Sequence, residues 1–198
     1  MKKVAIVVAV ALVTLSSFVK GGKEKNFKVD TKNSTVVWTG KKVTGEHKGN
    51  VPLSSGTVVL TDNKVITGTF EFNLAALTNT DITDKSSNEK LLGHLKSEDF
   101  FSTAKFPTAK FVITKATSKA GENYEVTGNL TIKGITNPIT FPAVIKISDK
   151  KLVASGKITV DRTKFDIKYG SKTFFESIGD KAIYDDFILD VNLTADSQ

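Results

Sequence analysis

The chain of 198 residues contains no cysteine. This absence excludes disulfide bonds, thiolate metal ligands, cysteine nucleophiles and a lipid anchor attached to a cysteine. A folded domain of this sequence must therefore be held together by hydrophobic packing and backbone hydrogen bonds.

Arginine is almost absent, since Arg162 is the only one in the chain. The formal net charge is +7, but Lys2, Lys3 and Lys20 lie in or beside an apolar N-terminal segment. The other lysines are interleaved with Asp and Glu, whereas nucleic-acid binders usually cluster basic residues on one face or interleave them with stacking aromatics. We therefore expect no nucleic-acid partner.

Residues typical of catalytic sites are also scarce. His47 lies in a Gly/Lys-rich turn and His94 on a predicted helix, and neither has a second ligand at metal-binding spacing. No serine lies in a Gly-x-Ser-x-Gly elbow, and the adjacent Asp185 and Asp186 would point to opposite faces of a strand. We expect a protein that is not an enzyme and that has no cofactor and no metal.

A long apolar run occurs only at residues 4–13, directly after Lys2 and Lys3. It has about half of the roughly 20 residues that a membrane-spanning helix needs, which favours a secretory signal peptide over a stable membrane span. We predict a signal peptide over residues 1–20, cleaved between residues 18 and 26, then a short linker over 21–26 and one domain over 27–196. The mature protein is then expected to be periplasmic or secreted.

Alternating apolar and polar residues fill the rest of the chain. Phe70, Phe72 and Leu74 alternate with polar neighbours, and residues 124–133 do the same. Further strands are predicted at 35–43, 56–60, 110–116, 139–147, 152–160 and 187–193, with turns at 61–63, 119–123 and 148–151. The pattern predicts an all-β domain of about eight antiparallel strands, closed as a barrel or packed as a sandwich. The charged residues on several strands favour a water-exposed barrel over a lipid-embedded one.

One short helix is predicted after Asp84. Ser86 and Glu89 have the spacing of a capping box, and three leucines between Leu91 and Leu95 form an apolar stripe. We expect this helix to pack over one end of the barrel.

The segment at residues 95–111, LKSEDFFSTAKFPTAKF, resembles a signature of the YceI-like family. The same family is resembled by LTNTD at 77–81, by the hairpin at 126–142, by Arg162 with Phe165, and by the segment at 178–193. Ala76 and Asp166 depart from the family pattern. The resemblance implies a lipocalin-like antiparallel barrel whose apolar interior binds polyisoprenoids and related lipids.

The strand faces and the resemblance together define a set of candidate ligand-binding residues. We expect the barrel interior to be lined by Phe70, Phe72, Phe100, Phe101, Phe106, Phe111, Ile113, Tyr124, Val126, Leu130, Ile132 and Phe141. Packing of an ordinary core, with aromatic residues plugging the barrel end, is the alternative role for this set. Arg162 is a candidate for contact with a lipid headgroup, because a guanidinium can bind phosphate with two hydrogen bonds. A structural salt bridge to a nearby carboxylate is the alternative role for Arg162.

The sequence therefore predicts non-catalytic binding, sequestration or transport of a long apolar lipid, such as a polyisoprenoid, an isoprenoid quinone or an acyl chain. The alternative is an exported structural or protein-interaction barrel with a filled core and no lipid ligand, acting through loops such as residues 41–52. The volume of the barrel interior should distinguish the two. Whether the protein is a monomer or a homodimer stays open.

Overall fold

The computed structural model describes residues 22–175 and 179–198. The predicted signal peptide at 1–20 lies outside the described residues. Ten strands and one α-helix occupy the described part of the chain: β1 (Glu24–Val29), β2 (Thr35–Lys42), β3 (Gly45–Asn50), β4 (Leu53–Thr61), β5 (Lys64–Asn73), α1 (Lys85–Lys96), β6 (Thr108–Ser118), β7 (Asn123–Ile132), β8 (Ile135–Ile147), β9 (Lys151–Asp161) and β10 (Ile183–Ser197). Short 3-10 turns lie at Arg162–Phe165 and Gly179–Lys181.

The strands close into one antiparallel barrel. Strands β4 to β10 follow one another in chain order around the sheet. Both β1 and β2 lie beside β10, and β3 and β4 lie on their far side. The C-terminal end of β10 pairs with β1 through Val29 and Ala195, and its middle pairs with β2 through Val36 and Val191. Since β3 pairs with β2 and β4 with β1, β1 and β2 share one position around the barrel, and β3 and β4 share the next. The result is a closed eight-stranded barrel, as predicted.

The alternation read from the sequence places the large apolar side chains inside the barrel. Phe70 on β5 lies opposite Phe111 on β6, and Phe111 lies opposite Leu130 on β7. All three are buried. Gly128 leaves the space that the Phe111 ring occupies, since a Cβ at Gly128 would collide with the end of that ring. A glycine is therefore needed where the ring approaches the β7 backbone.

Helix α1 begins two residues earlier than the predicted capping box requires. Its N-cap is Asp84, whose side chain accepts a hydrogen bond of 2.8 Å from the Ser87 N–H. The capping box at Ser86 and Glu89 is therefore wrong, because Ser86 already lies inside the first turn. No residue of α1 is fully buried, and Leu95 is the leucine that packs against the core. In the described part of the chain, no helix combines the length and the apolar character that crossing a membrane requires.

Strands β1 and β3 were not predicted. β1 begins at Glu24, so the end of the predicted linker at 21–26 belongs to the barrel. β3 reads GEHKGN and contains no apolar residue. It forms because β2 pairs with it along its whole length, which is a tertiary effect that no local alternation signals.

Candidate functional site

The barrel interior contains an apolar cavity of about 90 Å³, called here the strand cavity. Within the part of the chain that the structure describes, its walls come from strands alone, and Ser155 is the only lining residue with a polar side chain. Its aromatic rings belong to Phe70, Phe72, Phe111 and Phe141. The centroid of the Phe111 ring lies 6.3 Å from that of Phe70 and 5.6 Å from that of Phe141. Such a surface offers a ligand apolar contact and almost no hydrogen bonds.

A second cavity of about 100 Å³ lies next to α1 and is called here the helix-end cavity. Its wall combines Leu95 of α1 with Phe100 and Phe101, which follow the helix. Two charged side chains at the cavity wall, Lys41 and Asp186, are exposed. This cavity therefore has an apolar body with a polar border at the protein surface.

The two cavities adjoin. Phe72, Leu130 and Leu189 line both of them, and these three residues are called here the waist. Phe72 and Leu189 are only partly buried, whereas Leu130 is buried. In the described residues, the barrel interior therefore holds two small apolar spaces that meet at three side chains. It is neither the open tunnel expected of a lipid carrier nor the completely filled core expected of a barrel without a ligand.

Most of the candidate interior residues line one cavity or both. Apart from the two at the waist, the strand cavity holds Phe70, Phe111, Ile113, Val126 and Phe141, and the helix-end cavity holds Phe100, Phe101 and Ile132.

Phe106 and Tyr124 line neither cavity. The ring of Phe106 lies against Gly134 in the turn between β7 and β8. Tyr124 is partly buried and borders an open surface depression beside β8. Phe106 therefore lies away from the two cavities, whereas Tyr124 packs against the hydrophobic core without lining either cavity.

Several cavity residues escaped the sequence analysis. Leu189, Val191 and Leu193 of β10 line the strand cavity, and Leu189 also lies at the waist. The strand at 187–193 was predicted, and its alternation with Ile188, Asp190 and Asn192 carried the signal that would have found them. Tyr184 and Lys41 line the helix-end cavity. They could not have been found in the same way, because no alternation of apolar and polar residues places them there.

Arg162 is buried, with 3% of its surface exposed. Its guanidinium donates hydrogen bonds to the carbonyl oxygens of Tyr184 (3.1 Å), Ile167 (2.8 Å) and Ile183 (3.1 Å). It also contacts the Asp185 carboxylate at 3.4 Å and lies 5.6 Å from the centroid of the Phe100 ring.

These contacts bear on the headgroup hypothesis for Arg162. A guanidinium has five N–H donors, and the chain itself accepts four hydrogen bonds from this one. Burial lowers the pKa of the Arg162 guanidinium, and the carboxylates of Asp185 and Asp161 oppose that effect. The geometry favours the structural role, in which Arg162 ties the turn after β9 to the start of β10.

The LTNTD segment attaches the loop before α1 to β3. The Thr78 N–H donates to the Asn50 carbonyl and the Thr80 N–H to the Lys48 carbonyl, each at 2.9 Å. The indole N–H of Trp38 donates to the Thr78 carbonyl at 2.9 Å. The segment therefore extends the sheet at β3 and positions the loop that leads into the helix.

Asp81 completes this attachment. Its carboxylate accepts the Lys48 N–H at 2.8 Å and lies 2.8 Å from Nδ1 of His47. Burial alone would raise the pKa of Asp81, but the hydrogen bonds from Lys48, His47 and Asn79 lower it below the ordinary value. Within the described residues, no group of three or more His, Asp or Glu side chains could hold a metal ion.

The departure at Asp166 has a local explanation. Asp166 ends the 3-10 turn at Arg162–Phe165 with φ of 57°, in the left-handed region. Glycine adopts that conformation without cost, and aspartate is among the residues that tolerate it best. An aspartate at position 166 is therefore compatible with this turn.

Known proteins share this architecture. The crystal structure of BcnA from Burkholderia cenocepacia superposes with a TM-score of 0.67 at 23% identity, covering 84% of this chain and 98% of that chain. A structure described as a polyisoprenoid binding domain from Saccharophagus degradans, implicated in plant cell wall breakdown, gives a TM-score of 0.65 at 16% identity, covering 87% and 98%. At such identities the likeness shows the fold.

Sequence comparisons add to this structural likeness. A UPF0312 protein of Shewanella denitrificans is 41% identical over 80 residues, which cover 40% of this chain and 39% of that protein. The match thus spans well under half of the relative's length. The sequence profile of the YceI-like domain matches residues 27–195, which include all but the ends of the barrel. The chain therefore belongs to the YceI-like family.

Proposed function

We propose that the barrel binds a long apolar lipid in its interior and sequesters or transports it without chemical change. The observation that carries this proposal is the strand cavity, whose lining side chains are apolar except for Ser155. Transfer of a hydrocarbon chain from water into such a space gains about 0.8 kcal/mol per buried methylene. The resemblance of the fold to a domain described as polyisoprenoid-binding supports the same class of ligand.

The shape of the interior specifies what such a ligand must look like. An apolar cavity of about 150 Å³ holds one benzene molecule, and each of the two cavities here is smaller, at about 90 and 100 Å³. A bound chain must therefore be slender, and it must displace side chains at the waist to occupy both cavities. A polyisoprenoid, the tail of an isoprenoid quinone or an acyl chain meets that requirement, whereas a fused ring system does not.

The proposal includes export. The apolar run at residues 4–13 after two lysines has the form of a signal peptide, and a periplasmic or secreted carrier would meet its lipid outside the cytoplasm. The N-terminus of the purified protein, determined by mass spectrometry after expression in an exporting bacterium, tests this part.

Uptake of a defined lipid tests the binding site. The exported protein is incubated with solanesol, a long isoprenoid alcohol, and the bound lipid is quantified after gel filtration and solvent extraction. The blocking variant is Ala154→Leu, because Ala154 lines the strand cavity. The control is Val153→Leu. Val153 directly precedes Ala154 in β9, points outward and is 43% exposed.

We expect stoichiometric uptake by the natural protein and the Val153→Leu variant, and at least severalfold less by Ala154→Leu with an unchanged unfolding midpoint. Equal uptake by all three proteins would mean that the lipid binds elsewhere.

One observation favours a second function. The small volume of both cavities is what an exported structural or protein-interaction barrel with a nearly filled core would show. For that function, the same experiment gives no uptake by any of the three proteins.

A further inference from the structure

The barrel wall opens between β8 and β9. These two strands pair only where residues 143–147 lie opposite 152–156. In the same register, residues 138–142 would lie opposite 157–161, and although the structure describes both stretches, they do not pair with each other. On the other side of each stretch the sheet is intact, because β8 pairs there with β7 and β9 pairs with β10 along its whole length. The gap between the two unpaired stretches is called here the wall split.

Two prolines keep the wall split from closing as a ladder. The Ile145 N–H donates to the carbonyl of Glu122, just before β7, at 2.8 Å. Because N–H groups alternate between the two edges of a strand, positions 138, 140 and 142 face β9. Pro138 and Pro142 have no N–H, so Thr140 alone among these three positions can donate. Prolines on a strand edge also disfavour pairing with a strand of another molecule.

The wall split is bounded at both ends. At one end the ladder resumes, and the Pro142 carbonyl approaches Gly156 so closely that a Cβ on this glycine would lie 3.2 Å from the carbonyl oxygen. At the other end, the side-chain amide of Asn137 donates to the Lys164 carbonyl at 2.8 Å. The wall split is therefore a slot of limited length and not a frayed end of the sheet.

At the Pro142 end of the wall split, the strand cavity meets the open surface depression beside β8. The residues that line both spaces are Phe141, Ala143, Ser155, Gly156 and Val191. Phe141 lines the interior cavity yet is only partly buried. Gly156 pairs with Val191 and has no side chain that could cover it. The strand cavity and the protein surface are therefore in contact at these residues.

The chemistry of the two spaces favours a lipid chain as the occupant of the wall split. Among the described residues, Ser155 alone gives the strand cavity a polar side chain, so the cavity suits hydrocarbon, and burial of a polar end there would be costly. The outer depression offers uncharged polar side chains that include Asn123, Thr140 and Asn192. A lipid can therefore keep its polar end outside while its chain enters. Entry from the helix-end cavity instead requires a chain to pass the three side chains of the waist.

We propose that a lipid chain enters the strand cavity sideways, through the wall split between β8 and β9. This inference rests on the proposed function, because an entry route requires a ligand inside the barrel. It identifies the place where the wall admits the ligand and the Phe141 ring, which lines both spaces, as the group that the entering chain displaces.

Cross-linking across the wall split tests the proposal. The chain has no cysteine, so only an introduced pair reacts. The test variant is Thr140→Cys with Thr159→Cys, two exposed positions on opposite sides of the split. The control is Lys146→Cys with Val153→Cys, an exposed pair within the ladder between β8 and β9. Each pair is joined by a bismaleimide that carries a cleavable disulfide in its linker, and mass spectrometry verifies the cross-link.

The initial rate of solanesol uptake by each exported protein is measured before cross-linking, after cross-linking and after reduction of the linker. We expect the cross-link across the wall split to slow uptake at least severalfold and reduction to restore it, with no change in the control. Equal rates for the test variant with and without the cross-link would overturn the entry route and leave the lipid-binding function standing. No uptake by the natural protein would overturn both.

Discussion

The strand cavity and the helix-end cavity are of similar size, at about 90 and 100 Å³, yet different structures enclose them. Among the described residues, strands alone enclose the first, so its shape follows from the alternation of side chains on β4 to β10 and at Val29 of β1. The second adds α1, the turn after β9 and the start of β10 to a wall that also includes strand residues such as Trp38 and Ile132, and polar contacts tie the added pieces together. The comparison shows that the strand half of the barrel depends on apolar packing, whereas the helix half depends on a few hydrogen-bonded residues, chiefly Arg162 and Asp81.

The largest expected effect concerns Arg162, which belongs to the helix half. Arg162→Met keeps the apolar stem but leaves the carbonyls of Tyr184, Ile167 and Ile183 without a donor. We expect a loss of about 3 kcal/mol or more in the free energy of unfolding, because each buried acceptor without a partner is costly. Urea unfolding measures it. Asp185→Asn serves as the control and should lose much less, since the contact to Asp185 is long, at 3.4 Å. Equal stability of Arg162→Met and the natural protein would contradict the structural role.

A second change removes the boundary between the two cavities. Phe72→Ala should merge them at the waist and destabilise the barrel by about 2 kcal/mol, less than a fully buried phenylalanine would cost because Phe72 is partly buried. The same variant should accept a bulkier lipid than the natural protein does, as measured by extraction of bound lipid. Phe72→Leu, which keeps an apolar side chain at the waist, is the control. If Phe72→Ala leaves the range of bound lipids unchanged, the waist does not control access.

Acid should weaken the helix half through Asp81. The folded-state pKa of Asp81 is lowered, so its contribution is present above the ordinary carboxyl pKa and is lost as the pH falls through the lower folded value. Asp81→Asn should therefore cost about 1 kcal/mol at neutral pH, and the gap to the natural protein should close in acid. Urea unfolding at both pH values measures the gap. A gap that stays constant with pH would show that the charge of Asp81 contributes nothing.

The smallest effect distinguishes two residues at the start of α1. Asp84→Ala should lower the thermal unfolding midpoint slightly, because the Ser87 N–H loses its acceptor. Ser86→Ala should leave the midpoint unchanged, since the Ser86 side chain is not the cap. The opposite ranking of the two variants would restore the predicted capping box.

The strand half was largely predictable from sequence. The alternation around Phe70, Phe111 and Leu130 places large apolar residues on one face, and closure of the sheet turns that face inward. β3 was missed because it contains no apolar residue and is held by its neighbour. β1 was missed because Phe27 and Val29 are too few to establish a period.

The helix half was less predictable because its contacts join residues far apart in the chain. The role of Arg162 depends on the carbonyls at 167, 183 and 184, whose approach no local pattern signals. The aromatic segment at 95–111 was recognised as important, and Phe100 and Phe101 do line the helix-end cavity. Phe106 follows the same motif, yet it lies against the turn at Gly134, because a motif fixes neighbours in sequence and does not fix the direction of every ring.

The most direct test of lipid binding in the barrel is native mass spectrometry of the exported protein, purified without detergent from cells that make it and followed by solvent extraction. The account predicts a stoichiometric adduct whose mass matches a polyisoprenoid, an isoprenoid quinone or an acyl lipid, and which is lost in the Ala154→Leu variant. A clean mass for the protein alone, with no adduct after such lipids are offered, would contradict the account and favour an interaction module with a filled core.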